Sequence, residues 1–335
     1  MPGAWIKRFL MLAALAASIY LPDGDQRIPP DRAAQAEVKA VEFLTREVPA
    51  WPKDNGCFSC HNNGDAARAL YAATRKGYRI PAGVLAETTA WVSQPSRWDQ
   101  NKGDPGFNDK RLANIQFAAS LLAAFEAGQI TDRAPLEVAA RKVAAEQSAD
   151  GTWKIGDGKS LGAAATYGTP LATYMALKTL KQAGSTETKD AARKAEQWLR
   201  QMSPSNVMEA ATLLLASIAD SDQSARLKQE QCLKLIRSAQ TSDGGWGPYA
   251  DSPPESFDTA LTLLALAQLR QQTGSHNRDG DWILDAIRRG RAFLAAEQNP
   301  NGSWPATTRP PRGDSYAQLM STTGWATLAL LETRD

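Results

Sequence analysis

Gln147-Ser148-Ala149-Asp150-Gly151-Thr152-Trp153, Gln240-Thr241-Ser242-Asp243-Gly244-Gly245-Trp246 and Gln298-Asn299-Pro300-Asn301-Gly302-Ser303-Trp304 are three copies of one pattern. Each copy follows a helical stretch and precedes one rich in Ala and Leu. Asp-Gly and Asn-Gly are turn dipeptides, so they stop the first helix. The Gln amide and the large Trp ring on either side are suited to pinning the turn. Self-similarity of this kind indicates supersecondary units that bury their apolar faces by stacking on each other.

Weaker copies fill the gaps. Ala36 to Gly77 reads as helix, loop, helix. So does Val84 to Gly128, where Gln94 and Trp98 keep vestiges of the motif, and a short copy surrounds Gln201 between Asp190 and Asp220. This gives about six helix pairs at a period near fifty residues. The second helices are expected at Asp65–Lys76, Leu112–Ala127, Pro170–Ala183, Met208–Ala219, Asp258–Gln271 and Ser321–Glu332. They are poor in charge and apolar on more than one face, which places them inside. First helices such as Asp190–Gln201 and Asp285–Gln298 are amphipathic and belong to an outer layer. The expected fold is therefore all-α, two concentric layers of helices.

The rest of the composition narrows the function. Of 335 residues, 43% are hydrophobic and 22% charged, a globular balance that excludes wholesale disorder. Thirty-eight Lys and Arg against 36 Asp and Glu leave a net charge of +2, with no footprint for nucleic acid. Three Cys are too few for a disulfide scaffold. The two His, His61 and His276, limit any His-built site.

At the N-terminus, Lys7 and Arg8 precede the apolar run Phe9 to Leu21, and the polar stretch Pro22 to Gln26 follows. Basic start, short apolar core and small residues are the layout of an export signal, so residues 1–24 are expected to be a signal peptide or an N-terminal anchor. Elsewhere no apolar run is long enough for a bilayer span. Residues 31–335 are read as one domain in an exported, for instance periplasmic, protein.

The Gln-x-x-Asp/Asn-Gly-x-Trp repeats resemble the QW repeats of squalene–hopene cyclases, within the terpenoid cyclase and protein prenyltransferase superfamily. That resemblance implies an α/α toroid, whose helix pairs close into one double-layered barrel. Six pairs are what one such barrel needs, and a squalene cyclase carries two. It also implies an acid at the start of one inner helix, in Asp-x-Asp-Asp-Thr-Ala. The matching stretch here is Glu255-Ser256-Phe257-Asp258-Thr259-Ala260. Phe257 stands where the protonating Asp belongs, and Phe cannot protonate an alkene. Asp258 is kept as the weak catalytic candidate, with a helix-start role as its simpler reading. The zinc ligands of the prenyltransferases, similar to Asp-x-Cys plus a distant His, have no match. The Gly-Cys-Gly-Glu-Gln of the related thioester domains is also absent. Cys232 reads as a small buried hydrophobe.

The chemistry concentrates in Asn55-Gly56-Cys57-Phe58-Ser59-Cys60-His61. C-x-x-C-H is the attachment signature of haem c: two thiols bond the porphyrin and the adjacent His binds iron. One covalent haem at Cys57, Cys60 and His61 is the expected cofactor, held by residues 55–64. A Cys57–Cys60 disulfide, a partial zinc site and a thioredoxin-like redox pair are the alternatives.

In a closed toroid every outer-to-inner connection lies on one rim. That rim is expected to gather His61, Trp98, Phe107, Trp153, Tyr167, Met208, Trp246, Phe257, Asp258, Trp304 and Tyr316. Aromatic rings there can wall a haem or an apolar ligand, the three repeat Trp also serving as loop pins. Met208, Met320 and Met202 are the candidates for a sixth iron ligand, against an open site. His276, in the polar stretch Gly274–Asp281, is not. The functional expectation is electron transfer or redox sensing beside an apolar ligand cavity, with a redox protein and an apolar small molecule as partners. The alternatives are a haem-dependent or degenerate isoprenoid-acting enzyme and a haem-free toroid binding module.

Overall fold

The three repeats fold alike for reasons that are visible atom by atom in the computed structural model, which describes residues 32–102, 110–155, 167–273, 280–307 and 315–334. Gln147 Nε2 donates to the Gly151 carbonyl at 3.0 Å and to that of Ala191 at 2.8 Å. Gln240 repeats this with Gly244 at 2.8 Å and Ala286 at 3.1 Å. Gln298 does so with Gly302 at 3.1 Å and Ala36 at 2.7 Å. One amide thus closes its own turn and grips the next outer helix. The Trp of each repeat is fully buried and donates its indole N–H ten residues back, to Val143, Ile236 and Leu294. The Trp backbone amide donates to a Thr hydroxyl on the following inner helix, Thr173, Thr259 or Thr323. Gly151, Gly244 and Gly302 take φ of +90°, +91° and +94°. A Cβ there would lie 2.7, 2.6 and 2.3 Å from the carbonyl oxygens of Lys194, Arg289 and Lys39. Only glycine lets turn and neighbouring helix approach so closely.

Twelve α-helices lie among the described residues. They are α1 (Arg32–Asn55), α2 (Ala67–Arg75), α3 (Ala82–Val92), α4 (Lys110–Glu126), α5 (Ala134–Ala145), α6 (Gly168–Ala183), α7 (Lys189–Gln201), α8 (Val207–Ser217), α9 (Gln223–Ala239), α10 (Ser256–Thr273), α11 (Gly280–Glu297) and α12 (Tyr316–Glu332). The even-numbered helices pack in the order α2, α4, α6, α8, α10, α12 and back to α2, a closed ring. The odd-numbered ones lie outside, with α11 against α1. This is the α/α toroid of six helix pairs, with no strand among the described residues. Asp31–Asp335 makes one compact unit.

Sequence character follows the layer. In α12 every residue from Met320 to Leu331 is buried, whereas α11 buries one stripe, Ile283, Ala286, Ile287, Gly290, Phe293 and Leu294. An interior helix must be apolar all round, and an outer helix needs one such stripe. The vestigial repeat behaves differently: the Gln94 amide stays on its own helix, on the Ala90 carbonyl, and Trp98 donates to Trp91. Lacking the Gly turn, that segment forms a short 3-10 helix, Pro95–Gln100. No described helix is long and apolar enough to cross a membrane. Residues 1–24, Phe107 and His276 lie outside the described residues.

Candidate functional site

The connection between α1 and α2 departs from the repeat pattern. Gly56, at φ +65°, turns the chain out of α1, and its amide donates to the Pro52 carbonyl. Cys57 to Ser59 then cross to a wide π-helical turn, Cys60–Ala66, that runs into α2. The loop is therefore shorter than residues 55–64, because helix already begins at Cys60. The Ser59 hydroxyl causes this early start by accepting the amides of His61 at 3.1 Å and Asn62 at 3.4 Å. The Asn63 side chain accepts the Ser59 amide in return, at 2.9 Å. Isolated π turns of this kind are frequent at functional sites.

The turn is fastened on every side. Asn62 donates to the Glu47 carbonyl and to the Tyr316 hydroxyl, at 3.2 and 2.8 Å. Tyr316 stacks on Trp51 and donates to the Glu47 carboxylate at 2.8 Å. Asn63 donates to the Thr88 hydroxyl at 2.8 Å. Asn101 clasps the Phe58 backbone in both directions, accepting its N–H at 3.0 Å and donating to its C=O at 2.7 Å. The Phe58 ring stacks on Trp91, centroids 4.6 Å apart. A segment held by this many partners presents fixed side chains.

Those side chains are Cys57 and Cys60, half-buried thiols not joined to each other, and His61, 8% exposed. His61 Nδ1 is buried with no hydrogen-bond partner. Burial pushes the imidazole below its ordinary pKa, opposed by the Asp65 carboxylate. Among the described residues no three His, Cys, Asp or Glu side chains converge to hold a metal ion, which leaves the partial zinc site without support. The donor set fits covalent haem instead: two thiols outside any disulfide at the attachment spacing and a neutral-leaning imidazole beside them.

Four residues after His61, Asp65 is completely buried at the barrel axis. It accepts from Gln116 of α4 and from Tyr167 before α6, both at 2.6 Å, from Ser321 of α12, and pairs with Arg68 at 3.3 Å. The Arg68 guanidinium lies over the Trp325 ring, 4.6 Å from its centroid. Trp325 meets Tyr167 and Phe257 edge-on or tilted, at 5.7 and 5.5 Å. This plug was not foreseen. Its one sequence signal is Asp65 and Arg68 themselves, opposite charges three residues apart.

The expected rim residues therefore separate into groups. Trp153, Trp246 and Trp304 are loop pins buried between layers and wall nothing. Tyr167 and Phe257 belong to the axial plug, and Tyr316 to the His61 turn. Asp258 is buried in the first turn of α10, and the adjacent Thr259 anchors Trp246. Met208, and Met202 just before α8, sit across the ring from α2, three inner helices away in either direction. Met320 is on α12, which does touch the π turn, but its side chain is enclosed with Leu44, Val48 and Leu70 in a core cluster. Met208 and Met202 thus belong to the side of the ring opposite α2, and Met320 to a helix beside the π turn.

On the far side of Trp325 the barrel opens into a cavity of about 310 Å³ at the C-terminal ends of the inner helices. Its walls are Ala and Leu, and Arg75, Glu126, Lys178 and Glu332 line it as well. It is thus less apolar than expected, and Asp258 does not line it.

The architecture is that of the α/α toroid proteins. A complex of type II terpene cyclase MstE from Scytonema with geranylgeranyl dihydroxybenzoate is similar over 90% of this chain and 97% of its own, at 13% identity and a TM-score of 0.56. The unsaturated glucuronyl hydrolase of Bacillus sp. GL1 is similar over 89% and 96%, at 12% identity and 0.64. An unsaturated glucuronyl hydrolase specific for heparin covers 90% and 96%, at 13% identity and 0.59. At such identities the likeness is one of fold. No protein-family model matches the chain, and no curated protein sequence matches it.

Proposed function

We propose that the chain is an exported c-type haem protein in which an α/α toroid carries one covalent haem and serves electron transfer or redox sensing. The observation that carries this reading is the Cys57–His61 turn, with two thiols not joined in a disulfide, a buried imidazole whose Nδ1 has no partner, and a backbone stapled by Ser59, Asn62, Asn63 and Asn101. Cys57 and Cys60 would hold the porphyrin through thioether bonds, and His61 would give its iron a nitrogen ligand. The bound group supplies a one-electron centre. The chain's part is to fix the donors, to exclude water from the imidazole by burial, and to keep Asp65 at the helix start behind it. Lys7, Arg8 and the apolar run after them support export, which attachment of haem c requires. Met208 and Met202 lie across the ring from α2, and the iron's remaining position would be open to a small ligand.

Isoprenoid cyclisation is not proposed. Although MstE is a terpene cyclase, Phe257 here replaces the acid and fills the axis together with Trp325.

The test is an optical spectrum of the exported protein. A Soret band that survives acid–acetone extraction is expected, together with ready binding of carbon monoxide or cyanide. A colourless exported protein refutes the haem. A far-red thioether-to-iron band, lost on one Met substitution, refutes the open site.

A further inference from the structure

We propose that the cavity at the C-terminal ends of the inner helices is a binding site for a small amphipathic anion, a carboxylate on a short apolar body, with Lys178 as its countercharge. The cavity lies at the end of the barrel away from the Cys57–His61 turn, so the inference stands independently of the haem.

Three observations carry it. First, the cavity is formed by all six inner helices and measures about 310 Å³, the size of a small-ligand pocket. Its walls combine apolar side chains, Leu122, Leu215, Leu264 and Leu328 among them, with about as much polar surface.

Second, the charges at this end are matched except for one. Arg75 bridges Glu126 at 3.1 Å and Glu332 at 2.8 Å, and Lys76 also meets Glu332, at 3.1 Å. Arg68 is committed to Asp65. Lys178, in the middle of the lining of α6, has no ion pair or hydrogen bond among the described residues. Its side chain is exposed and lines the cavity.

Third, the ammonium is crowded by protein. Burial lowers its pKa, with Arg68 and Arg75 adding to the effect and Glu126 and Glu332 opposing it. A cation without an ion-pair partner beside the leucines of such a cavity gains from an anion that brings its own apolar surface. An inorganic ion has no such surface for these walls, and a neutral alcohol has no charge for Lys178.

Titration calorimetry on the purified full-length protein tests this, with octanoate as probe and octan-1-ol and acetate as controls. Octanoate should bind at least tenfold more tightly than either control. Lys178→Met should weaken octanoate about tenfold and leave octan-1-ol unchanged, and Lys178→Arg should restore most of the binding. Circular dichroism confirms that both variants keep the helical fold. Equal affinity for octanoate and octan-1-ol overturns the role of charge, and equal affinity for acetate overturns the apolar body. Octanoate binding indifferent to Lys178→Met, or absent from the wild-type protein, overturns the site.

Discussion

Gly302→Ala isolates what ring closure contributes to stability. Gly302 ends α11 and lies against α1, the junction where the last outer helix meets the first. Two costs add. An alanine held at φ +94° bears about 1–2 kcal/mol of left-handed strain. Its Cβ would also lie 2.3 Å from the Lys39 carbonyl oxygen and 2.8 Å from the carbonyl carbon, so backbone must move. Overpacking of this kind costs about 1–3 kcal/mol. The expected loss is therefore about 2–5 kcal/mol. Gly77→Ala is the control: φ is +89°, yet nothing lies within 4 Å of the new Cβ, so only the first cost applies. Urea denaturation of wild type and both variants, followed by circular dichroism, should place Gly302→Ala well below Gly77→Ala, with unchanged slopes. Equal midpoints for the two variants would show that the junction yields freely, and that the close approach does not hold the ring.

Other outcomes are equally definite. Trp304→Phe removes the indole donor to the buried Leu294 carbonyl and should cost about 1–3 kcal/mol, read as a lower Tm; an unchanged Tm refutes the pinning role. Burial pushes the Cys232 thiol from 9.0 to about 12 and the phenol hydroxyls of Tyr71 and Tyr174 from 10.0 to about 12. With folded values raised, their contribution to stability is complete below about pH 9 and falls as pH rises toward 12, so a urea midpoint that rises from pH 9 to 11 contradicts it. In haem-free protein a thiol reagent should label Cys57 and Cys60 in the native state and Cys232 only after unfolding. His61→Ala should shift the haem spectrum and His276→Ala should not; the reverse pattern refutes the assignment of the axial ligand. Squalene should be returned unchanged, and a cyclic product lost on Asp258→Asn would make Asp258 an acid after all.

The fold was legible because its fasteners are local and chemically distinctive. Gln147, Gly151 and Trp153 sit within seven residues, and each does one job that few other side chains do. Helix layers were legible from where charge is missing. The partners those fasteners grip were not, because Ala36, Ala191 and Ala286 offer only backbone carbonyls, which leave no mark on sequence. Cys57, Cys60 and His61 stood out as a motif, but the early helix start depends on Ser59 and Asn63, ordinary residues in an ordinary-looking loop. Met208 and Met202 show that helix starts sharing a rim can still face each other across the full width of a ring. Lys178 and Arg68 left a faint signal, charges on inner helices. Their meaning depends on which of them finds a partner, and that is settled only in three dimensions.

Asp65 gives the barrel a bulkhead. Its carboxylate ties α4, α12 and the segment before α6 to the root of α2, and Arg68 and Trp325 complete the partition. The toroid is therefore not a tunnel. A molecule entering from the Lys178 end meets an indole and a guanidinium rather than the Cys57–His61 turn. Opening a passage would break a buried ion pair, at a cost of about 3–5 kcal/mol. The two mouths are separate compartments with separate chemistries, sharing one wall. Arg68 links the two ends: it lines the cavity while it holds the carboxylate four residues from the His61 imidazole.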